Sequence, residues 1–277
     1  MGILSPEFLR LIEQYKITHS QWVPTMFVRL LKLPIEQRNQ YDLSSMKMAV
    51  HAAAPCPVDI KHQMIEWWGD IIHEYYAGTE NNGFTSITSH EWLNHPGSVG
   101  QAKLGIPHIC NEAGDELPIG LEGEVYFENG HQFIYHNDPQ KTASACNHHG
   151  WTTLGDIGRL DEEGYLYLTG RKSFLIISGG INIYPQETEN ILLGHPMVLD
   201  AAVIGIPDEE FGESVQAVVQ LVTPSKASEQ LAEDLISYCR QNLSPIKCPK
   251  GIDFRETLPR SATGKLYKRK LKDEYWS

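Results

Sequence analysis

Four short segments of the sequence carry residues whose types and spacing could act on a phosphate-bearing ligand. The first runs from Tyr75 to Glu80 and places Ala77 and Gly78 before a hydroxyl and a carboxylate. A glycine lets a ligand approach the backbone closely, and the oxygens of Thr79 and Glu80 suit a phosphate and its magnesium ion. Taken alone, the segment is more often an ordinary turn after a strand.

The second and third segments have the same ambiguity. Trp151 to Asp156 ends in a carboxylate that we expect on a rigid β turn, where it could bind a pair of ribose hydroxyls or simply cap the turn. Ser178-Gly179-Gly180 follows an apolar run at 175–177. Two glycines can bring backbone amides against a narrow ligand, but they also suit a tight turn or a β bulge.

The fourth segment, Pro259 to Lys265, places small and hydroxyl residues before Gly264-Lys265. Such a loop can present one ammonium group to a transferring phosphate, where negative charge builds up on the oxygens. It is not a Walker phosphate loop, because the first glycine and the following helix are missing. The basic run at 268–270 is compatible with a solvated tail.

The elements that must position these segments change in character along the chain. The first part predicts a mostly parallel sheet with helical cover, the middle part predicts antiparallel strands that form a small β-barrel, and the last part predicts a small α+β unit. We place the boundary at 170–174, which predicts domains at 1–170 and 171–277. The predicted helices are 5–33 with a break at 23–25, 57–67, 185–193 and 228–241; the predicted strands are 46–50, 71–75, 124–127, the hairpin at 160–165, 175–177, 201–206 and 215–222.

Composition narrows the class of protein. The formal charge of −12 argues against nucleic-acid binding, because an acidic surface repels phosphate backbones. We expect no transmembrane segment and no signal peptide. The five scattered cysteines predict reduced thiols in a cytoplasmic protein. The adjacent pair His148-His149 has no third ligand at helical spacing, so the sequence does not favour a metal site there.

The order and spacing of the four segments resemble the adenylate-forming enzymes, which include the acyl-CoA synthetases, firefly luciferase and peptide-synthetase adenylation domains. The resemblance runs over nearly all 277 residues and is closest to bacterial fatty-acyl, aryl and bile-acid CoA ligases. The segments that carry it, besides the four above, lie at 52–57, 91–100, 177–187 and 258–266.

The resemblance implies a role for each matching residue. In the large N-terminal part, Tyr76 would stack on adenine beside Ala77 and Gly78, Thr79 would contact phosphate, and Glu80 would bind Mg²⁺. The residues that would line the adenine and acyl pocket are Ala53, Ala54 and Pro55.

Further residues would serve the ribose and the two half-reactions. Asp156 would hold the ribose hydroxyls, with Arg171 near the ribose and phosphate, and Lys265 would stabilise the transition state of adenylation. The residues that would line the pantetheine tunnel during thioester formation are Ser178, Gly179 and Gly180.

The implied activity is ligation of a carboxylic acid, fatty or related, to coenzyme A through an acyl-adenylate, with ATP and Mg²⁺ and with a homodimer as a possible state. The chain departs from the family at Ala77, where glycine is commoner, at Leu154, where threonine is common, and at Phe174, where a hinge aspartate or lysine is usual. The Ser/Thr/Gly-rich phosphate loop of the family's first half is also missing. We therefore expect the C-terminal portion of a longer enzyme.

Two other functions share these motifs. The chain could be a catalytically inactive fragment or a partner-binding piece, which the missing phosphate loop favours over independent catalysis. A luciferase-like oxidation of the adenylate by oxygen would use the same residues, and only light emission or oxygen consumption would distinguish it.

Overall fold

The chain folds around two sheets. The computed structural model describes residues 6–261 and 265–276. A nine-stranded sheet occupies the chain up to Arg171, and a five-stranded sheet begins at Ile176. We call the part built on the first sheet the large lobe and the part built on the second the small lobe.

The large lobe begins with parallel strands and helices, as predicted. The strands β1 (His19–Trp22), β2 (Met48–His51) and β3 (Ile72–Ala77) pair in parallel. The helices are α1 (Glu7–Tyr15), α2 (Pro24–Leu31), α3 (Ile35–Arg38) and α4 (Val58–Trp68). Strand β1 corrects the prediction of helix over this region. Its residues, His-Ser-Gln-Trp, are too polar to indicate a strand. The strand forms because its backbone pairs with that of β2.

Antiparallel strands complete the large lobe. They are β4 (Phe84–Ile87), β5 (Ser98–Leu104), β6 (Ile106–Cys110), β7 (Gly123–Glu128), β8 (Thr152–Leu160) and β9 (Leu166–Arg171), with the short helices α5 (Ser89–Asn94) and α6 (Pro139–Ser144). The prediction of a separate small barrel is wrong for the part of the chain described. Strand β5 pairs with both β4 and β9, so the antiparallel strands extend the same open sheet in the order β1-β2-β3-β4-β5-β9-β8-β7-β6.

The small lobe has the predicted α+β character. A 3₁₀ turn at Lys172–Phe174 joins it to β9, at the predicted boundary. Its strands are β10 (Ile176–Ser178), β11 (Ile181–Ile183), β12 (Val198–Asp208), β13 (Gly212–Leu221) and β14 (Gly251–Phe254); its helices are α7 (Pro185–Gly194), α8 (Glu229–Asn242) and α9 (Lys268–Tyr275). Short 3₁₀ turns lie at Pro224–Lys226 and Pro245–Lys247.

The two lobes pack against each other. One cluster of buried apolar side chains contains Phe27 and Trp92 of the large lobe together with Val203 and Leu235 of the small lobe. The Lys32 ammonium also donates a hydrogen bond to the His195 carbonyl at 2.9 Å. These contacts determine which face of the small lobe packs against the large lobe. In the described part of the chain, no helix combines the length and apolar character needed to cross a bilayer.

Gly100 of β5 is expected to be intolerant of any side chain. Its φ is +95°, and a Cβ atom there would lie 2.1 Å from the Ser86 carbonyl oxygen on the neighbouring strand. Gly100→Ala should lower the free energy of unfolding in urea by about 3 kcal/mol or more, because two backbones would have to separate. Gly69 has a similar φ of +80° with nothing within 4 Å, so Gly69→Ala is a matched control that should cost about 1–2 kcal/mol. Equal losses of unfolding free energy in the two variants would contradict the close approach of the β4 backbone to Gly100.

Candidate nucleotide site

The carboxyl edge of the parallel strands gathers the first set of candidate residues. Strands β2 and β3 run parallel with His51 opposite Glu74, so the loops that follow them leave the same edge of the sheet. Ala53, Ala54 and Pro55 lie in the first loop and are exposed, and Ala53 has an unusual φ of +74°. Ligands of α/β sheets bind at this edge. The loop is therefore open to a ligand beside the segment from Gly78 to Glu80.

Asp156 lies at the centre of the side chains that the fold brings together. The Tyr76 hydroxyl donates to Asp156 Oδ2 at 2.7 Å, and Arg171 Nε lies 3.0 Å from Oδ1. Asp156 and Arg171 face each other in the register of β8 and β9. Asp156 is thus a strand residue, preceded by Gly155 with a φ of +77°, and the expectation of a β turn is corrected. One half-buried carboxylate is held from both sides by groups on different strands.

Burial dominates the electrostatics of this cluster. It raises the pKa of Asp156, while the charge of Arg171, the hydrogen bond from Tyr76 and the charge of Lys265 each oppose that rise. The pKa of Tyr76 lies well above its usual value, because of burial first and the neighbouring Asp156 charge second. The Tyr76 hydroxyl therefore stays protonated and acts as a donor, and the Asp156 carboxylate is exposed to little water.

Glu80 and Thr79 extend the site along the next turn. The Tyr135 hydroxyl donates to Glu80 Oε1 at 2.9 Å, and burial raises the pKa of Tyr135 to about 12. Glu80 is close enough to Asp156 that its charge raises the pKa of that carboxyl. Thr79 is exposed. A carboxylate and a hydroxyl supply the hard oxygen ligands that Mg²⁺ takes, with phosphates and water as the remaining ligands, so the residues present fit the ion.

Lys265 approaches this cluster from the small lobe. Its side chain is exposed, and its charge is near enough to lower the pKa of Asp156 across the gap between the lobes. Two hydrogen bonds join the Lys265 backbone to Ser261. The Ser261 amide donates to the Lys265 carbonyl at 2.9 Å, and the Lys265 amide donates to Ser261 Oγ at 3.1 Å. Residues 262–264 of this predicted loop lie outside the described residues. In this arrangement of the lobes the charge of Lys265 therefore acts on the carboxylate of Asp156.

The glycine pair forms a tight turn between two strands of the small lobe. Gly179 and Gly180 join β10 to β11 with φ of +56° and +78°, which is the two-residue hairpin that favours glycine. The Gly179 amide donates to the Phe211 carbonyl at 2.9 Å, and Ser178 is buried. Among the described residues, no hydrogen bond or ion pair joins the 178–180 segment to Asp156. Of the two small-lobe segments, only Lys265 appears among the groups whose charge acts on Asp156 in the described part of the chain.

The three departures from the family pattern have different surroundings. Leu154 packs against Gly78: a Cβ atom added to that glycine would lie 2.1 Å from Leu154 Cδ1. Ala77 is the last residue of β3 and immediately precedes Gly78. Phe174 lies under the ammonium of Lys268, 5.4 Å from the ring centroid. An apolar residue at the junction therefore contacts the helix that follows Lys265.

Two positioning contacts escaped the sequence analysis. Tyr135, which binds Glu80, precedes the Asp138-Pro139 helix start, and an aromatic residue before that signal was the available hint. Arg260 binds Asp200 through several short contacts of 2.6–2.9 Å, and Asp200 is buried on β12. This pair anchors the start of the segment that carries Lys265. Nothing in the local sequence indicates that pairing, because the partners are 60 positions apart.

Comparison with known proteins identifies the family. Residues 3–133 match the AMP-binding enzyme domain, and residues 187–265 match the AMP-binding enzyme C-terminal domain. The first match ends within the large lobe and the second lies within the small lobe. The two domains occur in the order that the four sequence segments predicted.

Individual relatives cover almost all of this chain. It is 35% identical over 280 residues to a long-chain-fatty-acid–CoA ligase of Bacillus subtilis. The aligned region covers 98% of this chain and 49% of that protein. It is 30% identical over 274 residues to the long-chain-fatty-acid–CoA ligase of Escherichia coli O6:H1, covering 97% of this chain and 47% of that protein. The chain spans about half the length of the curated relatives it matches.

A solved structure supports the same assignment. The o-succinylbenzoate CoA synthetase of Bacillus subtilis, in complex with its acyl-adenylate intermediate, superposes with a TM-score of 0.79 at 29% identity. The match covers 99% of this chain and 54% of that one. With the sequence matches in both lobes, it shows that the chain belongs to the AMP-binding, adenylate-forming enzymes, as a relative of their acyl-CoA ligases.

Proposed function

We propose that this chain forms most of the nucleotide site and the mobile lobe of an ATP-dependent acid–CoA ligase. The observation that carries the proposal is the cluster of Tyr76, Asp156 and Arg171 with the Lys265 charge acting on it. A half-buried carboxylate flanked by a hydroxyl and a guanidinium suits a ribose beside a phosphate. A nearby ammonium suits the charge that develops when the phosphate is attacked.

In the first half-reaction the acid carboxylate attacks the α-phosphorus of ATP, the bond to the β-phosphate oxygen breaks, and pyrophosphate leaves. Asp156 accepts hydrogen bonds from the ribose hydroxyls, and Tyr76 keeps that carboxylate oriented through its 2.7 Å hydrogen bond. Lys265 stabilises the negative charge that builds on the phosphate oxygens. Glu80, with Thr79 beside it, would hold Mg²⁺, which supplies further positive charge to the phosphates when bound.

In the second half-reaction the thiolate of coenzyme A attacks the acyl carbon, the bond to the AMP oxygen breaks, and AMP leaves. We propose that the small lobe first turns about 170–174, which separates 1–170 from 171–277 as two domains. The 3₁₀ turn at Lys172–Phe174 supports a hinge there, because it is the single connection between the two sheets in the chain path. Turning would withdraw Lys265 and bring Ser178, Gly179 and Gly180 to the pantetheine path.

Gly180→Leu separates the two half-reactions. Gly180 has a φ of +78° and nothing within 4 Å of an added Cβ, so a side chain there fits this arrangement of the lobes and would meet pantetheine only after the proposed turn. In the complete protein, thioester formation from supplied acyl-adenylate should fall by about tenfold or more, whereas adenylation should keep its rate. Gly164 has a φ of +80° and equally open surroundings, so Gly164→Leu reproduces the backbone strain in a different hairpin. Slower adenylation in Gly180→Leu, or equal effects in both variants, would contradict the role of the turn.

Acid- and CoA-dependent release of AMP tests the proposed activity. The complete protein is incubated with ATP, Mg²⁺, CoA and a panel of fatty, aryl and ring-containing acids, and AMP and the thioester are measured together. Equal amounts of AMP and thioester with at least one acid are expected. No AMP with any acid would favour an inactive or partner-binding chain, and AMP with light emission but no thioester would favour oxidation of the adenylate.

Several finer properties belong to the same proposal. The relatives named as fatty-acid ligases support a fatty or related acid as the substrate. The free cysteines support a reducing, cytoplasmic environment.

A further inference from the structure

We propose that Asp115, His148 and His149 form a binding site for a divalent transition-metal ion such as Zn²⁺ or Co²⁺, separate from the nucleotide site. Each of the three side chains offers one ligand atom, and these atoms all lie within 4.8 Å of one another. The histidine pair has no third ligand within its own stretch of sequence. The fold supplies one by bringing the loop between β6 and β7 against the loop that precedes β8.

The spacing of the ligand atoms suits a transition metal. Asp115 Oδ1 lies 3.5 Å from His148 Nε2. Two donors at about 2.1 Å from a tetrahedral ion are roughly 3.4 Å apart, so this pair is close to the required geometry. Two imidazoles and one carboxylate select Zn²⁺, Co²⁺ or Ni²⁺ over Mg²⁺ and Ca²⁺, which prefer oxygen ligands. All three side chains are exposed, so water would complete the coordination of the ion.

Both loops are held by side chains that do not themselves bind the metal. Asn147 Oδ1 accepts hydrogen bonds from the amides of His149 and Trp151, and its Nδ2 donates to the Gly114 carbonyl at 3.1 Å. Asn111 Oδ1 accepts from the Asp115 amide at 3.0 Å. The two loops are therefore connected before any ion binds, which lowers the conformational cost of bringing the ligands together.

Aromatic stacking orients the third ligand. The His149 ring stacks on Trp151 with a centroid distance of 4.5 Å, and Trp151 stacks on His108 at 3.7 Å. His108 is in turn held between Glu116 and Glu128. The histidine ring is thus one layer of a fixed stack, and the same indole provides a fluorescent reporter next to the proposed ion.

Titration with Co²⁺ tests the site in a chain that carries no polyhistidine tag. After treatment with a chelator, wild type should bind one equivalent, seen as saturable visible absorption bands and as partial quenching of the total tryptophan fluorescence, to which Trp151 contributes. His148→Ala and His149→Ala should abolish the saturable phase, and Asp115→Asn should weaken binding by about tenfold or more. A hundredfold excess of Mg²⁺ should not compete, whereas Zn²⁺ should.

His90→Ala is the matched control, because His90 is an equally exposed histidine of the large lobe outside the cluster. It should leave the stoichiometry and the affinity for Co²⁺ unchanged. Far-UV circular dichroism of each variant establishes that the fold is retained. The proposal is overturned if wild type shows no saturable binding, if Mg²⁺ displaces Co²⁺, or if His148→Ala binds as tightly as His90→Ala.

Discussion

Lys265→Ala is expected to lower the rate of acyl-adenylate formation by about 100- to 1000-fold in the complete protein. Lys265 is a small-lobe cation whose charge acts on Asp156, and we propose that it neutralises the phosphate in this arrangement of the lobes. Its removal leaves the developing charge on the phosphate oxygens without that support. Thioester formation from supplied acyl-adenylate should keep its rate, because the proposed turn of the small lobe withdraws Lys265 before that step.

Rapid-quench measurement of each half-reaction separates these two effects. Lys226→Ala serves as the control, because Lys226 is an exposed lysine of the small lobe in the 3₁₀ turn Pro224–Lys226. It should alter neither rate. Equal losses in both half-reactions of Lys265→Ala would contradict the assignment of Lys265 to adenylation alone.

Asp156→Asn is expected to weaken nucleotide binding by about 10- to 100-fold without lowering stability. The amide can still accept from Tyr76, but the charged acceptor that would bind the ribose hydroxyls is lost, and charge-assisted hydrogen bonds are each worth about 1.5–3 kcal/mol. Isothermal titration with AMP measures the affinity. Asp161→Asn, in the turn of the same β8–β9 hairpin, should leave that affinity unchanged.

The sign of the stability effect follows from the pKa of Asp156. Burial raises that pKa in the folded state, so the native protein favours the protonated form. The corresponding stabilisation is complete below the pKa of the unfolded chain and is lost as pH rises through the folded pKa. At pH 7 the charged carboxylate is therefore a net cost to folding, and thermal unfolding of Asp156→Asn without nucleotide should not occur at a lower temperature. Lower stability together with unchanged affinity for AMP would contradict the functional role of Asp156.

The sequence predicted the elements with strong local signals. Helix α8 has an N-cap serine, Ser228, whose side chain accepts from the Leu231 amide, and α7 begins with Pro185 and an acidic first turn. Strands β12 and β13 are long and apolar. They occur where expected, but β12 extends beyond the predicted 201–206 at both ends and β13 begins three residues before the predicted 215. Local propensity and burial agree in these elements, so a single sequence is sufficient to find them.

The errors arose where long-range pairing decides the structure. Strand β1 is polar and depends on β2 for its hydrogen bonds. The open sheet in place of a barrel results from the pairing of β5 with β9, two strands separated by more than 60 positions, and no local pattern reports it. The same limit applies to the site: Tyr76 and Asp156 could be chosen by motif, but the 2.7 Å contact between them depends on sheet order.

Exchange of labelled pyrophosphate into ATP tests the central claim most directly, because it reports reversible acyl-adenylate formation without CoA. In the complete protein, we predict exchange that requires an acid, proceeds without CoA and falls by about 100-fold or more in Lys265→Ala. Exchange at the same rate with and without every acid of the panel, in protein shown to be folded, would contradict the account. So would acid-dependent exchange that Lys265→Ala leaves unchanged.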